Sequence, residues 1–282
     1  MLKDRLLTAA VAIPILLAIV FGGGATGFLG LILVVNAIAL HEFWALFPRE
    51  GGGDSVDRSG FPLALVTTSL LVYAFHRGSN LLIAGALVSA MLTALAASVV
   101  GSSSMRARSR VVFTTLTGVL YVTVMLGHLV LVRALPEGAW WIFMLLGIVM
   151  MSDTCAYFAG RAFGKHKLAP MVSPKKTVEG AIGGLVGSAL FALVAAKCLG
   201  WSGIPASQSV VLGLLTGLVS QIGDLAESTL KRGADVKDSG TIFPGHGGLL
   251  DRLDSILPGC VVLYYLIRGM GLDRVAAMLG TP

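Results

Sequence analysis

The sequence predicts an all-α, polytopic integral membrane protein of about nine transmembrane helices, with its N-terminus in the cytoplasm. Three observations carry that expectation. Of the 282 residues, 55% are hydrophobic and only 13% are charged, against about 25% charged in a soluble domain. The mean hydropathy of +0.85 leaves too little polar surface to keep the chain in water. Apolar runs of span length, about 20 residues, recur along the whole chain. Lys and Arg are also shared unevenly between alternate loops. With the N-terminus inside, only Arg77, Arg133, Lys197, Arg268 and Arg274 of the 21 basic residues fall outside, which is the positive-inside bias.

The runs are, in order, roughly 5–23, 25–47, 60–77, 80–101, 111–134, 139–162, 178–200, 208–230 and 255–272. The opening MLKDRLLTAAVAIPILLAIVFGGG has the charge and apolarity of a signal peptide. Its run is long enough to span and further spans follow, so it is expected as a retained first helix. The third run is the shortest, as a tilted or partly re-entrant helix would be. His41-Glu42 is the one charged site within the first five runs, and 48–60 reads as a surface turn. The 36 glycines suit helices whose backbones approach closely. Cys155, Cys198 and Cys260 show neither metal nor disulfide spacing and read as small core residues. The formal charge of +6 reads as that of cytoplasmic loops rather than of a nucleic-acid surface. The chain divides into N-terminal helices at 1–110, middle helices with a basic loop at 111–177, and C-terminal catalytic helices with a polar loop at 178–282.

One stretch does not suit lipid. Residues 221–254, QIGDLAESTLKRGADVKDSGTIFPGHGGLLDRLD, hold Asp224, Glu227, Asp235, Asp238, Asp251 and Asp254, from a total of 15 acids. Asp224, Glu227, Ser228 and Lys231 stand at i, i+3, i+4 and i+7, on one helical face. An ionised Asp about two turns inside a span costs on the order of 3 kcal/mol unless paired or hydrated. Asp224 is therefore a cation ligand facing a wet cavity or a partner in an interhelical salt bridge. Asp251 and Asp254 flank Arg252 one turn apart. They are either metal ligands or acids favoured by the start of a helix. Three carboxylates without Cys or clustered His suit Mg²⁺ better than zinc. The turn Phe243–Gly248 precedes that pair, and Gly247 and Gly248 permit the close backbone approach of a phosphate nest. His246 is a donor to phosphate or a structural residue of the turn.

Two further motifs accompany this stretch. In Ser173-Pro174-Lys175-Lys176-Thr177-Val178-Glu179-Gly180, Ser173 and Pro174 signal a helix start. Amides at such a start attract phosphate, with Lys175 and Lys176 beside them. Ordinary loop charge is the plainer reading. In the second motif, Asp153 and Tyr157 lie one turn apart in the sixth run, with Gly160 permitting helix contact. Together these groups place carboxylates, lysines and phosphate-binding turns on the cytoplasmic side. Mg²⁺-assisted nucleotide transfer to a membrane-embedded substrate needs that set.

Ser228-Thr229-Leu230-Lys231-Arg232, Lys237-Asp238-Ser239-Gly240 and Pro244-Gly245-His246-Gly247-Gly248-Leu249-Leu250-Asp251-Arg252-Leu253-Asp254 resemble the signature of the phosphatidate cytidylyltransferase (CDP-diacylglycerol synthase) family. The Ser173–Gly180 stretch, the Asp153–Tyr157 stretch and the opening residues resemble its bacterial members. The resemblance implies that CTP and phosphatidic acid give CDP-diacylglycerol and pyrophosphate in phospholipid biosynthesis. It implies Mg²⁺, with K⁺ sharing the centre, a bacterial inner-membrane location and a homodimer. Asp224, Asp251 and Asp254 fall on the family's acidic positions around the metal. Lys231 and Arg232 join them as expected catalytic residues. Lys175, Lys176, Ser228, Lys237, His246, Gly247, Gly248 and Arg252 are expected to bind substrate.

Two other classes fit part of the pattern. A transporter accounts for intramembrane acids, but it places them near the midplane between broken helices rather than on one side. A CTP-dependent lipid kinase has similar needs, but releases CDP instead of pyrophosphate.

Overall fold

The computed structural model describes residues 2–47, 60–100, 105–201, 203–240, 242 and 247–279. Its helices are α1 (Leu2–Gly22), α2 (Gly24–Ala45), α3 (Phe61–His76), α4 (Asn80–Val100), α5 (Met105–Gly118), α6 (Met125–Ala134), α7 (Gly138–Phe163), α8 (Val178–Cys198), α9 (Ala206–Gly233), α10 (Leu250–Leu253), α11 (Ile256–Gly269) and α12 (Leu272–Leu279). A π-helical segment, Val119–Val124, joins α5 to α6, and a small hairpin, β1 (Lys167–Ala169) and β2 (Ser173–Thr177), lies between α7 and α8. The all-α polytopic class is what the sequence predicts. Each of the expected runs is helical, while the count of about nine crossings is not confirmed. Among the described residues, six helices are long and apolar enough to cross a membrane, or seven if α11 and α12, bent by 72°, form one span. The α3 helix has 16 residues. At 1.5 Å per residue it reaches about 24 Å, short of the ~30 Å hydrocarbon core.

The chain forms two compact units. One comprises Met1–Leu131 with Gly233–Arg252, the other Val132–Arg232 with Leu253–Pro282. In the first, α2, α3 and the π-helical segment meet at a buried polar node. Thr123 Oγ1 donates to Asn36 Oδ1 at 2.7 Å, and Asn36 Nδ2 donates to Thr68 Oγ1 at 3.2 Å. In an apolar scaffold a buried amide has no water to fall back on, so each of its groups needs a protein partner.

The second unit is a bundle drawn tight by glycine. On α8, Gly180, Gly183, Gly184 and Gly187 recur at helical spacing and face α7. A Cβ on Gly180 would lie 2.8 Å from the Ala156 carbonyl oxygen, and one on Gly184 2.8 Å from that of Ser152. On α9, Gly213 meets the Ser188 carbonyl oxygen and Ala189 Cα in the same way, at 2.5 and 2.8 Å. Small residues at the seam let backbones touch, which gives packing energy where lipid supplies no hydrophobic drive. Farther along α9, Glu227 is fully buried and pairs with Lys231 Nζ at 2.5 Å. Of the three cysteines, Cys260 is buried and Cys155 half-buried, but Cys198 is exposed at the end of α8, so only part of the expected core placement holds.

The expected helix start at Ser173-Pro174 is displaced by four residues. Ser173–Thr177 is a strand, paired antiparallel with β1 through Lys167↔Thr177 and Ala169↔Ser173. The helix begins at Val178, and Thr177 is its N-cap, its hydroxyl accepting from Gly180 N at 3.1 Å. A Thr at the N-cap satisfies an orphan amide, and the ladder with β1 claims the residues before it. Glu179, in the first turn, accepts from the backbone of Lys165 at 3.1 Å and of His166 at 3.3 Å. This closes the hairpin onto α8.

Two stability tests follow from this packing. Gly213→Ala meets backbone and is expected to cost about 1–3 kcal/mol. Gly85→Ala in α4 meets nothing within 4 Å and is expected to be neutral or to stabilise by up to about 1 kcal/mol; thermal unfolding in detergent should rank them in that order. Lys231→Met strands a buried carboxylate and is expected to cost about 3–5 kcal/mol, with Glu227→Gln in the same chain recovering part of the loss.

Candidate active site

The second unit encloses a cavity of about 380 Å³ walled by α7, the hairpin, α8 and α9. Asp153, Tyr157 and Arg161 come from successive turns of α7, and Leu168, Lys175, Lys176 and Thr177 from the hairpin. Gly180 and Ala181 begin α8, and Gln221 and Asp224 lie one turn apart on α9. The helical spacing of i, i+4 and i+8 keeps the three α7 residues on one face. Strand alternation separates the lysines: Lys175 is exposed and Lys176 half-buried. Gln221 Nε2 donates to Ser152 Oγ at 3.1 Å and to the Ala181 carbonyl at 3.2 Å. It thereby fastens three helices together one turn before Asp224.

Lys176 Nζ donates to Asp224 Oδ2, and Ser228 Oγ reaches Asp224 Oδ1 at 3.5 Å. The Lys176 and Asp224 side chains are 30% and 28% exposed. A pair this open is worth roughly 0–1 kcal/mol after solvent screening. Lys176 can therefore leave Asp224 for a phosphate at little cost. Arg161 Nη1 donates to the Tyr157 hydroxyl at 3.3 Å beside the same cavity.

Asp254 belongs to this unit as well. Gly223 of α9 packs against the Asp254 backbone and Pro258, which brings the residue after Gly223, Asp224, near Asp254. The charges of Asp224 and Lys231 both act on Asp254. Its Oδ1 accepts from Ser255 N at 2.6 Å.

Asp251 belongs to the first unit and braces a loop. Its Oδ2 accepts from Gly248 N at 2.8 Å and Ser239 N at 3.0 Å. The amides of Leu249 and Leu250 go to Glu42 of α2, at 3.0 and 2.8 Å. The Gly248 amide, part of the turn expected to cradle phosphate, thus points at Asp251, and the two amides after it point at Glu42. Gly247 has φ +82°, the left-handed region expected of this turn. His246 and the turn residues 243–245 lie outside the described residues.

The remaining expected site residues divide by exposure. Lys231 is buried and pairs with Glu227. Arg232, Lys237 and Arg252 are exposed. Sequence reading gave no site role to Glu42 or Gln221. The signal for Glu42 was an acid near the end of an otherwise apolar helix; for Gln221 it was an amide one turn before Asp224. Among the described residues no three His, Cys, Asp or Glu side chains converge as a ready-made cation cage. The donor set still fits a hard cation, because Asp224 and Asp254 offer carboxylate oxygens and Asp224 already carries an ammonium. Substrate phosphates would have to complete the coordination, as is usual for Mg²⁺.

Comparison with known proteins identifies the family of the chain. The model of the Cytidylyltransferase family matches residues 3–270. Phosphatidate cytidylyltransferase of Brucella suis biovar 1 (strain 1330) is 49% identical over 133 residues, 46% of this chain and 47% of the relative. That of Bacillus subtilis (strain 168) is 40% identical over 156 residues, 55% of this chain and 57% of the relative. That of Mycobacterium bovis (strain ATCC BAA-935 / AF2122/97) is 41% identical over 137 residues, 47% of this chain and 43% of the relative. The chain spans about half the length of the curated relatives it matches. With a family match that runs almost from end to end, the chain belongs to the cytidylyltransferase family.

Proposed function

We propose that the protein transfers the cytidylyl group of CTP to phosphatidic acid, giving CDP-diacylglycerol and pyrophosphate. The observation that carries this reading is the cavity that Lys175 and Lys176 line together with Asp224 and Asp153 of apolar helices. Phosphate-binding cations and metal-binding carboxylates there share one wall of an apolar scaffold. The names of the curated relatives and the family match point to the same substrates.

A phosphate oxygen of phosphatidic acid attacks the α-phosphorus of CTP. A new P–O bond forms, and the bond from the α-phosphorus to the bridging β-oxygen breaks. Pyrophosphate leaves with that electron pair. A phosphate monoester has its second pKa near ~6 and is largely dianionic at neutral pH, so no strong general base is required. Orientation and charge neutralisation carry such a transfer. Lys176 moves from Asp224 onto a substrate phosphate, and Lys175 and Arg161 add positive charge at the cavity. Gln221 holds the three helices so that Asp224 keeps its place. Asp224 and Asp254 would hold Mg²⁺, which when bound neutralises phosphate oxygens and the leaving pyrophosphate. A metal role for Asp251 rests on the family resemblance alone. A second cation, K⁺, and a homodimer rest on that resemblance alone. The loop bias of Lys and Arg supports a bacterial inner-membrane protein with this site facing the cytoplasm.

Purified protein in detergent, given CTP, Mg²⁺ and phosphatidic acid, is expected to form pyrophosphate and CDP-lipid in equal amounts. CDP release without CDP-lipid would instead identify a lipid kinase, and no turnover with phosphatidic acid would remove the proposal. Asp224→Asn is expected to lower kcat by about 100-fold or more while the unfolding temperature stays within a few degrees, as for loss of an electrostatic contact to the reacting phosphates. Near wild-type kcat in that variant would take Asp224 out of the site.

A further inference from the structure

We infer that Glu42 is a positioning residue for the loop that carries Asp251. The inference rests on the cytidylyl-transfer reading for its functional consequence, though not for its geometry. Glu42 lies in the last turn of α2 and is only 3% exposed. Its carboxylate accepts from Leu249 N at 3.0 Å, from Leu250 N at 2.8 Å and from Ser239 Oγ at 3.4 Å. All three donors belong to the loop between α9 and α10 or to its junction with α10. None belongs to the helices that pack beside α2.

The loop is shaped to receive this carboxylate. A side chain on Gly240 would overlap Glu42, and one on Gly248 would bring its Cβ to 2.6 Å from Glu42 Oε2. Glycine at both places is what lets the loop close over the acid. Asp251 holds the same segment through its other donors. Ser239 gives its hydroxyl to Glu42 and its amide to Asp251, while Gly248 N goes to Asp251 and the next two amides to Glu42. The two carboxylates interlock through shared residues, so the position of Asp251 depends on Glu42.

The charge and shape of the side chain matter here. A carboxylate only accepts, and it meets two N–H groups and a hydroxyl. Gln in its place would turn an NH₂ group toward a backbone N–H. Asp is one methylene shorter and keeps the acceptors. The amide contacts are strong because the surroundings are dry, and a buried backbone N–H left without an acceptor would open the loop.

The test combines hydrogen exchange with kinetics on the full-length protein in detergent. In Glu42→Gln, amides of the 239–251 segment are expected to exchange about tenfold faster or more, while peptides from α7, α8 and α9 keep their protection. Turnover of CTP and phosphatidic acid is expected to fall about 10–100-fold, as for loss of a supporting contact behind a functional group. The loss should lie mainly in kcat, and Glu42→Asp should recover part of both readouts. Unchanged exchange in the 239–251 segment overturns the inference. So does faster exchange spread over every helix, which would make Glu42 a general fold residue. If wild-type protein itself fails to make CDP-lipid, the cytidylyl-transfer reading falls, and the exchange data alone then decide whether Glu42 braces the loop.

Discussion

The structure depends on one constraint, that a charged group within an apolar scaffold must bring its partner with it. The buried and half-buried acids of the described residues meet that demand in more than one way. Glu227 takes a lysine from the next turn of its own helix. Asp224 takes one from a hairpin far away in the chain. Glu42 takes backbone amides. The solutions differ in how much they leave available for chemistry. A fully buried pair such as Glu227 with Lys231 is committed to the fold, and breaking it costs several kcal/mol. The half-exposed pair of Asp224 with Lys176 is weak enough to open when a phosphate arrives. The same physics therefore separates supporting charges from reactive ones, and exposure is the quantity that sorts them.

Glycine makes the arrangement possible. Along α8 the backbone of α7 comes so close that no Cβ fits at Gly180, Gly183, Gly184 or Gly187. The cavity begins at the end of this seam, where Gly160 and Gly180 line it together with residues of the hairpin. A tight seam beneath an open mouth fixes Asp153, Lys176 and Asp224 on rigid elements. Gln221, tied to both neighbouring helices, extends that rigidity to α9. The reactive groups thus sit on elements whose positions are set by backbone contact rather than by long side chains.

Much of this was legible in the sequence. Helix positions in the C-terminal half were read to within a few residues, because apolar runs bounded by charge leave little choice. The face shared by Asp224 and Ser228 followed from spacing alone. Other features needed three dimensions. The number of crossings is not fixed by apolar runs alone, since a helix can be apolar and yet short, as α3 is. Ser173-Pro174 carried a real helix-start signal that lost to strand pairing, and Thr177 four residues later took the cap. Spacing put Lys231 on the face of Asp224 and Glu227, but it did not show that Lys231 pairs with Glu227. Glu42 went unassigned because two of its three partners are backbone amides more than 200 residues away, which leave no side-chain signature.

The tandem lysines of β2 have a consequence for how this wall of the cavity tolerates error. A strand that slips by one residue turns every side chain to its opposite face. In most strands such a slip exchanges an apolar group for a polar one and ruins the surface. Here the neighbour of Lys176 is Lys175, which already borders the same cavity. A slip toward Lys175 would turn a second ammonium to the face that Lys176 now holds, while the Thr177 cap on α8 opposes the slip.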